Sequence, residues 1–150
     1  MLSLSRTENV QIPAGESSAF TYSPLDESAD SIRLLSFEKG CDGHSIIRCN
    51  LVHRTFREKP VYCALSYTWG QATDVNFPIF VNGKTFSVSK NLFRALEIIV
   101  SPSFRHDDKA QPCTLLWIDA ICINQQDPLE RSKQVSIMDF VYTRASYVLI

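Results

Sequence analysis

The sequence predicts an α/β domain: a mostly parallel sheet flanked by helices, with one added β-hairpin. Three observations lead there. The stretch Leu115–Gln134 reads as an apolar strand, a polar turn and a capped helix; strands alternate with helices after Trp69; and Asn82-Gly83 lies between two alternating apolar runs. Alternation of strand and helix is the pattern of parallel pairing, whereas Asn-Gly marks an antiparallel hairpin because both central positions of a type I′ turn need positive φ.

At 150 residues, with 45% apolar and 21% charged, the chain is large enough for one domain with its own core. A net charge of -1 without clustered Lys and Arg argues against a nucleic-acid partner. No apolar stretch approaches the roughly 20 residues that span a bilayer, and Met1–Ala19 lacks the apolar centre of a secretory signal. A cytoplasmic setting is therefore expected. The five cysteines fit it, since their number is odd and Cys49, Cys63 and Cys122 lie in apolar strand-like runs.

Residues 1–24 mix Ser, Thr, Glu, Pro and Gly without periodicity and are expected to form a flexible leader, with Tyr22-Ser23-Pro24-Leu25 packing at the domain edge. The domain then runs from 25 to 150. Ile32–Phe37 reads as a first strand, ended by a turn-rich cluster over Lys39–Gly43. Ile46–Phe56 follows as a half-buried strand, with Ile47, Cys49 and Leu51 on one face. Cys41, His44, Cys49 and His53 have zinc-like spacing, but Cys49 and His53 stand four apart in the strand pattern, roughly 13 Å in an extended chain. A strand with incidental Cys and His is the better account, and no metal is expected.

Val61–Gly70 predicts a third strand ending in hydroxyl and aromatic side chains. It reads either as a core strand closed by a Gly turn or as one whose Ser66, Tyr67 and Trp69 form a pocket wall. Phe77–Val88 is the hairpin. Ser89 then caps a helix carrying Leu92, Phe93, Leu96, Ile99 and Val100 on one face, and Ser101–Gln111 is a polar loop.

The central stretch comes next. Leu115–Ile123 is a near-continuous apolar run, the pattern of a strand buried on both faces, and Asn124, Gln125 and Gln126 form the elbow after it. In open α/β sheets ligands bind at such elbows, outside the carboxyl ends of the strands. Asp127 is a good N-cap, Pro128 suits the first helical position, and Glu130 can complete a capping box. The helix is expected from Pro128 to about Arg144, with Val135, Met138, Val141, Tyr142 and Ala145 inward. Ser146–Ile150 opens another buried strand and stops in mid-pattern, as a C-terminally truncated domain would.

The segments Tyr62–Gly70 and Leu116–Gln125, followed by Glu130-Arg131, Gln134, Met138, Tyr142, Ala145 and Val148, resemble the fungal heterokaryon incompatibility (HET) domain. The likeness runs from about Ile32 to Ile150. The Trp-Leu-Gly motif that follows the last strand in that family is not among these 150 residues. The resemblance implies a module that triggers regulated cell death in filamentous fungi after non-self recognition, with a sensor or allelic protein as its partner. The HET domain is in turn similar to TIR domains, whose fold is a flavodoxin-like parallel sheet and some of which cleave NAD.

That second likeness implies NAD as a substrate rather than a cofactor, with hydrolysis of the nicotinamide–ribose bond. Such cleavage develops positive charge on the ribose, which a carboxylate stabilises, as in glycosidases. Glu130 is then the candidate catalytic acid and Asp119 the runner-up. Ser66, Tyr67, Trp69, Gly70, Asp119, Asn124, Gln125 and Arg131 are the candidate substrate-binding residues. Two readings stay open for Glu130, a helix cap or a catalytic group, and two for the domain, an NAD glycohydrolase or a homo-oligomeric assembly module without catalysis. Dinucleotide, phosphate-loop, serine-hydrolase and paired-His zinc motifs are absent, which excludes ordinary dehydrogenases, nucleotide triphosphatases and serine hydrolases.

Overall fold

The computed structural model describes residues 18–28, 30–38, 46–67, 77–101 and 114–150. Among them, seven strands make one sheet: β1 (Ser31–Phe37), β2 (Arg48–Thr55), β3 (Cys63–Leu65), β4 (Phe77–Val81), β5 (Lys84–Val88), β6 (Leu116–Trp117) and β7 (Tyr147–Leu149). Their order is β5-β4-β2-β1-β6-β3-β7. The helices are α1 (Lys90–Val100), α2 (Asp119–Cys122), α3 (Pro128–Ser136) and α4 (Met138–Arg144), with a 3₁₀ turn at Phe56–Glu58. The α/β class and the added hairpin are as expected.

The sheet is not mostly parallel. Antiparallel pairing joins β1 to β2, β1 to β6 and β4 to β5, while β2–β4, β3–β6 and β3–β7 are parallel. The longest ladder, from Ser31↔Thr55 to Phe37↔Cys49, is antiparallel. Its cause is the short connection between Phe37 and Arg48, since a parallel return needs a crossover of about a dozen residues or more. Strand β1 lies inside the sheet, and Ile32, Leu34 and Leu35 are fully buried. Along β2 the alternation is as read, with Ile47 just ahead of the strand, Cys49 and Leu51 buried and His53 exposed.

The hairpin turn has φ of 51° at Asn82 and 76° at Gly83, both positive as a type I′ turn requires. Asn82 also fastens the turn to β2: its Oδ1 accepts the Leu51 N–H at 2.9 Å and its N–H donates to the Cys49 carbonyl at 2.9 Å. Ser89 caps α1 by accepting the Leu92 N–H at 3.2 Å, and the helix buries Leu92, Leu96, Ile99 and Val100.

Three other expectations are revised. The apolar run after Leu115 is a strand only at Leu116 and Trp117; from Asp119 it coils into α2, which buries Ile121 and Cys122. A buried helical turn and a buried strand are equally apolar, so periodicity cannot separate them. The long helix breaks at Ile137, φ −105° and ψ 8°, which re-phases the chain so that α3 buries Gln134 and leaves Val135 exposed, while α4 buries Val141. Strand β7 is an edge, with Tyr147 and Val148 exposed rather than buried. Residues 18–24 run along β5, where Phe20 N donates to the Thr85 carbonyl at 2.9 Å and Thr85 N to the Ser18 carbonyl at 3.1 Å. Phe20 and Tyr22 hold this segment down by packing edge-on against Phe86.

Cys49, Cys63 and Cys122 are buried. Cys41 and His44 lie outside the described residues, among which no group of His, Cys, Asp and Glu could hold a metal. No helix among the described residues is long and apolar enough to cross a membrane.

Candidate functional site

A cleft of about 390 Å³ opens where the elbow after α2 meets the end of β3 and the start of α1. Three aromatic rings wall it, Tyr22, Tyr67 and Phe86; Ser87 and Ser89 contribute hydroxyls; Asn124, Gln125 and Gln126 contribute amides; Val88, Leu92 and Ala120 are its apolar lining. Each comes from a locally determined position. Ser87 and Ser89 stand at the end of β5 and the cap of α1, and Tyr67 follows the last residue of β3 by two. The elbow holds its own shape: Asn124 Oδ1 accepts the Gln126 N–H at 3.1 Å, and Gln125 Nε2 donates to the Asp119 carbonyl at 3.1 Å. Among the described residues no hydrogen bond engages Asn124 Nδ2 or Gln125 Oε1, so a donor and an acceptor remain on this wall.

The structure thus brings together Tyr67, Asn124 and Gln125 of the predicted set. Ser66 is half-buried just outside, its N–H donating to the Leu149 carbonyl at 2.7 Å. Trp69 and Gly70 lie outside the described residues. Arg131 is exposed on α3 and does not line the cleft. Asp119 opens α2, accepts the Ala120 N–H at 2.8 Å, and stands close enough to Tyr67 and Tyr142 to disfavour their ionisation. Burial is the larger cause at Tyr67, and both effects keep its phenol protonated and able to donate.

Glu130 lies behind the elbow, not on its open side. Its carboxylate accepts the Asn124 N–H at 2.5 Å and two hydrogen bonds from Arg33, Nη1 at 3.0 Å and Nη2 at 2.5 Å. The capping role falls to Asp127 alone, whose carboxylate accepts the Leu129 and Glu130 N–H groups at 3.1 and 3.2 Å. The reciprocal half of the expected capping box is replaced by the bond to Asn124, because the guanidinium draws the Glu130 side chain inward.

Most of the cleft lining was not in the predicted set, nor were the two residues that organise it, Tyr22 and Arg33. Arg33 is 1% exposed in the middle of β1, and besides Glu130 it donates to the Cys122 carbonyl at 3.1 Å and the Ser23 carbonyl at 2.9 Å. Its guanidinium lies over the Tyr22 ring, 4.7 Å from the centroid, and the Tyr22 hydroxyl donates to the Ile121 carbonyl at 2.6 Å. One charge inside the apolar run Ile32–Leu35 was the available clue, since a buried arginine requires partners. Cys122 lies below the elbow, where burial pushes its thiol up to about 12 and disfavours the thiolate.

The sequence profile described as heterokaryon incompatibility protein (HET) matches residues 62–150. The chain is also 30% identical over 146 residues to heterokaryon incompatibility protein 6, OR allele, of Neurospora crassa, an alignment covering 93% of this chain and 21% of that protein. The chain therefore spans about a fifth of the length of this relative. No solved structure matches.

Proposed function

Because the chain belongs to the heterokaryon incompatibility (HET) family, we propose that it is the signalling module of a fungal incompatibility protein and that its elbow cleft binds the nicotinamide end of NAD. The observation that carries this reading is the meeting of Tyr67 with Asn124 and Gln125 in one cleft. An aromatic face stacks on a planar ring, and a donor on Asn124 beside an acceptor on Gln125 complements a primary carboxamide. The cell-death output expected of such modules follows from cleavage of the bound dinucleotide. The parallel set β6-β3-β7 supports a TIR-like reading of this half of the sheet, and the antiparallel β1 and β2 are additions to it.

Cleavage needs a carboxylate to oppose the developing ribosyl charge. Asp119 adjoins the lining residue Ala120 without lining the cleft itself, and Glu130 is turned onto Arg33 behind the elbow. In this reading Glu130 shapes the cleft through Asn124, and acts on substrate only by rotating away from Arg33. Concentrated protein incubated with NAD should release free nicotinamide, with Tyr67→Ala and Asp119→Asn each reducing the rate by on the order of 10²-fold at unchanged fold. Absence of release by the parent chain, together with no change in tyrosine fluorescence on adding NAD, would sink the proposal.

A second reading, signalling by self-association without catalysis, has its own support. Among the described residues strand β7 ends the sheet, with Tyr147 54% and Val148 43% exposed. Unpaired apolar edges template further pairing. Sedimentation of the parent chain and of Val148→Lys tests it: the parent should associate and the variant should not.

A further inference from the structure

The three-walled cleft is built partly from chain that precedes the family match. Tyr22, forty residues ahead of the matched segment at Tyr62, supplies one wall. It is held at three points: its hydroxyl on the Ile121 carbonyl, its ring under the Arg33 guanidinium, and its neighbour Ser23 through a carbonyl that accepts from Arg33 Nη2. The same guanidinium reaches the other wall, directly at the Cys122 carbonyl and through the Glu130 carboxylate to the Asn124 N–H. A buried charge with this many partners is costly to place and is not needed to pair β1 with β2, where an aliphatic side chain would serve.

We infer that the Phe20–Ser23 strap is an integral wall of the ligand cleft, with Tyr22 contacting the ligand, and that Arg33 is the positioning residue that sets strap and elbow at a fixed separation. This rests on the reading of the cleft as a ligand site. It also narrows the ligand. Among the described residues the lining side chains carry no Lys, Arg, Asp or Glu, so the cleft suits a planar heterocycle between Tyr22 and Tyr67 and offers phosphates no cation there. Nicotinamide meets that description; a free phosphate or a nucleotide held by its phosphates does not.

Two measurements decide it. Amide hydrogen exchange of the ligand-free chain compares the parent with Tyr22→Ala and Arg33→Lys. Strap and elbow, 99 residues apart at the Tyr22–Ile121 bond, should lose protection together in both variants while β1 and β2 keep theirs. Unchanged exchange at Asn124–Gln126 in Tyr22→Ala overturns the coupling even if Arg33→Lys proves too unstable to interpret. Nicotinamide is then titrated into parent, Tyr22→Phe and Tyr22→Ala. Loss of one stacking face should weaken binding about tenfold in Tyr22→Ala, with Tyr22→Phe restoring most of it. Equal affinity in all three overturns the wall role. Failure of the parent itself to bind nicotinamide defeats the functional reading and the ligand assignment, and leaves the exchange result to decide the coupling.

Discussion

Arg33 on β1 and Glu130 on α3 face each other through two hydrogen bonds, with side chains 1% and 11% exposed. The pair bridges 97 residues of sequence and closes the floor between the elbow and the sheet. Breaking it from one side leaves the other charge buried and unpaired. Glu130→Ala should therefore cost about 3–5 kcal/mol, well above the roughly 1 kcal/mol of a lost helix cap, and Arg33→Met with Glu130→Leu together should recover much of the loss. Urea unfolding of the two single variants and the double variant checks this; a single-variant loss of only about 1 kcal/mol would reduce Glu130 to a cap.

Gly83 carries φ of 76° with open space around the position a Cβ would take. Gly83→Ala should then cost about 1–2 kcal/mol from backbone strain alone, with no steric term. The loss should appear as faster amide exchange in the hairpin and at Leu51, whose N–H bonds Asn82. An unaffected midpoint in denaturant would contradict it.

Burial raises the pKa values of Tyr22 and Tyr67, and pushes Tyr62 and Cys122 up to about 12. The unfolded chain loses these protons near the ordinary values of 9.0 for Cys and 10.0 for Tyr, while the native chain retains them. The native state then binds more protons, so the contribution is fully present below 9.0 and is lost as pH rises toward 12. Unfolding midpoints should fall steeply above about pH 9. Midpoints level up to about pH 11 would contradict the burial of these groups.

Cys49, Cys63 and Cys122 should resist thiol reagents in the native protein and react once it unfolds. Peptide mapping after brief alkylation, with and without denaturant, reads each one separately. Modification of Cys122 in the folded chain would mean that the elbow opens on that timescale, since its Sγ lies among the Ile118 and Leu116 backbone groups.

The features legible in the sequence were those fixed by local rules. Asn82-Gly83, Ser89 and Asp127 each determine a turn or a cap through neighbours within three residues, and all three stand where expected. Tyr67 was recognisable at the end of a strand and Asn124–Gln125 as a polar elbow before a capped helix, and they meet in the cleft. What escaped depends on distant partners. Glu130 reads as a capping residue until Arg33 is beside it, and Arg33 reads as an ordinary strand residue until α3 packs over β1. Gln134 is buried, where the pattern predicts Val135, because the break at Ile137 changes the phase and its Nε2 finds the Ser31 carbonyl at 3.1 Å. The antiparallel centre of the sheet was hidden for a similar reason, as nothing local to Ile32–Phe37 specifies its neighbours.

The Arg33 hub also bears on how the protein is made. Chain emerging from the ribosome presents Tyr22 and Arg33 early, yet their partners at Ile121, Cys122 and Glu130 appear only after about ninety more residues have been added. Closing so wide a loop is slow, and until it closes the nascent polypeptide holds an unpaired guanidinium and no assembled pocket. Translation stalled before Glu130 yields a product in which Arg33 lacks its carboxylate partner and the elbow lacks its anchor.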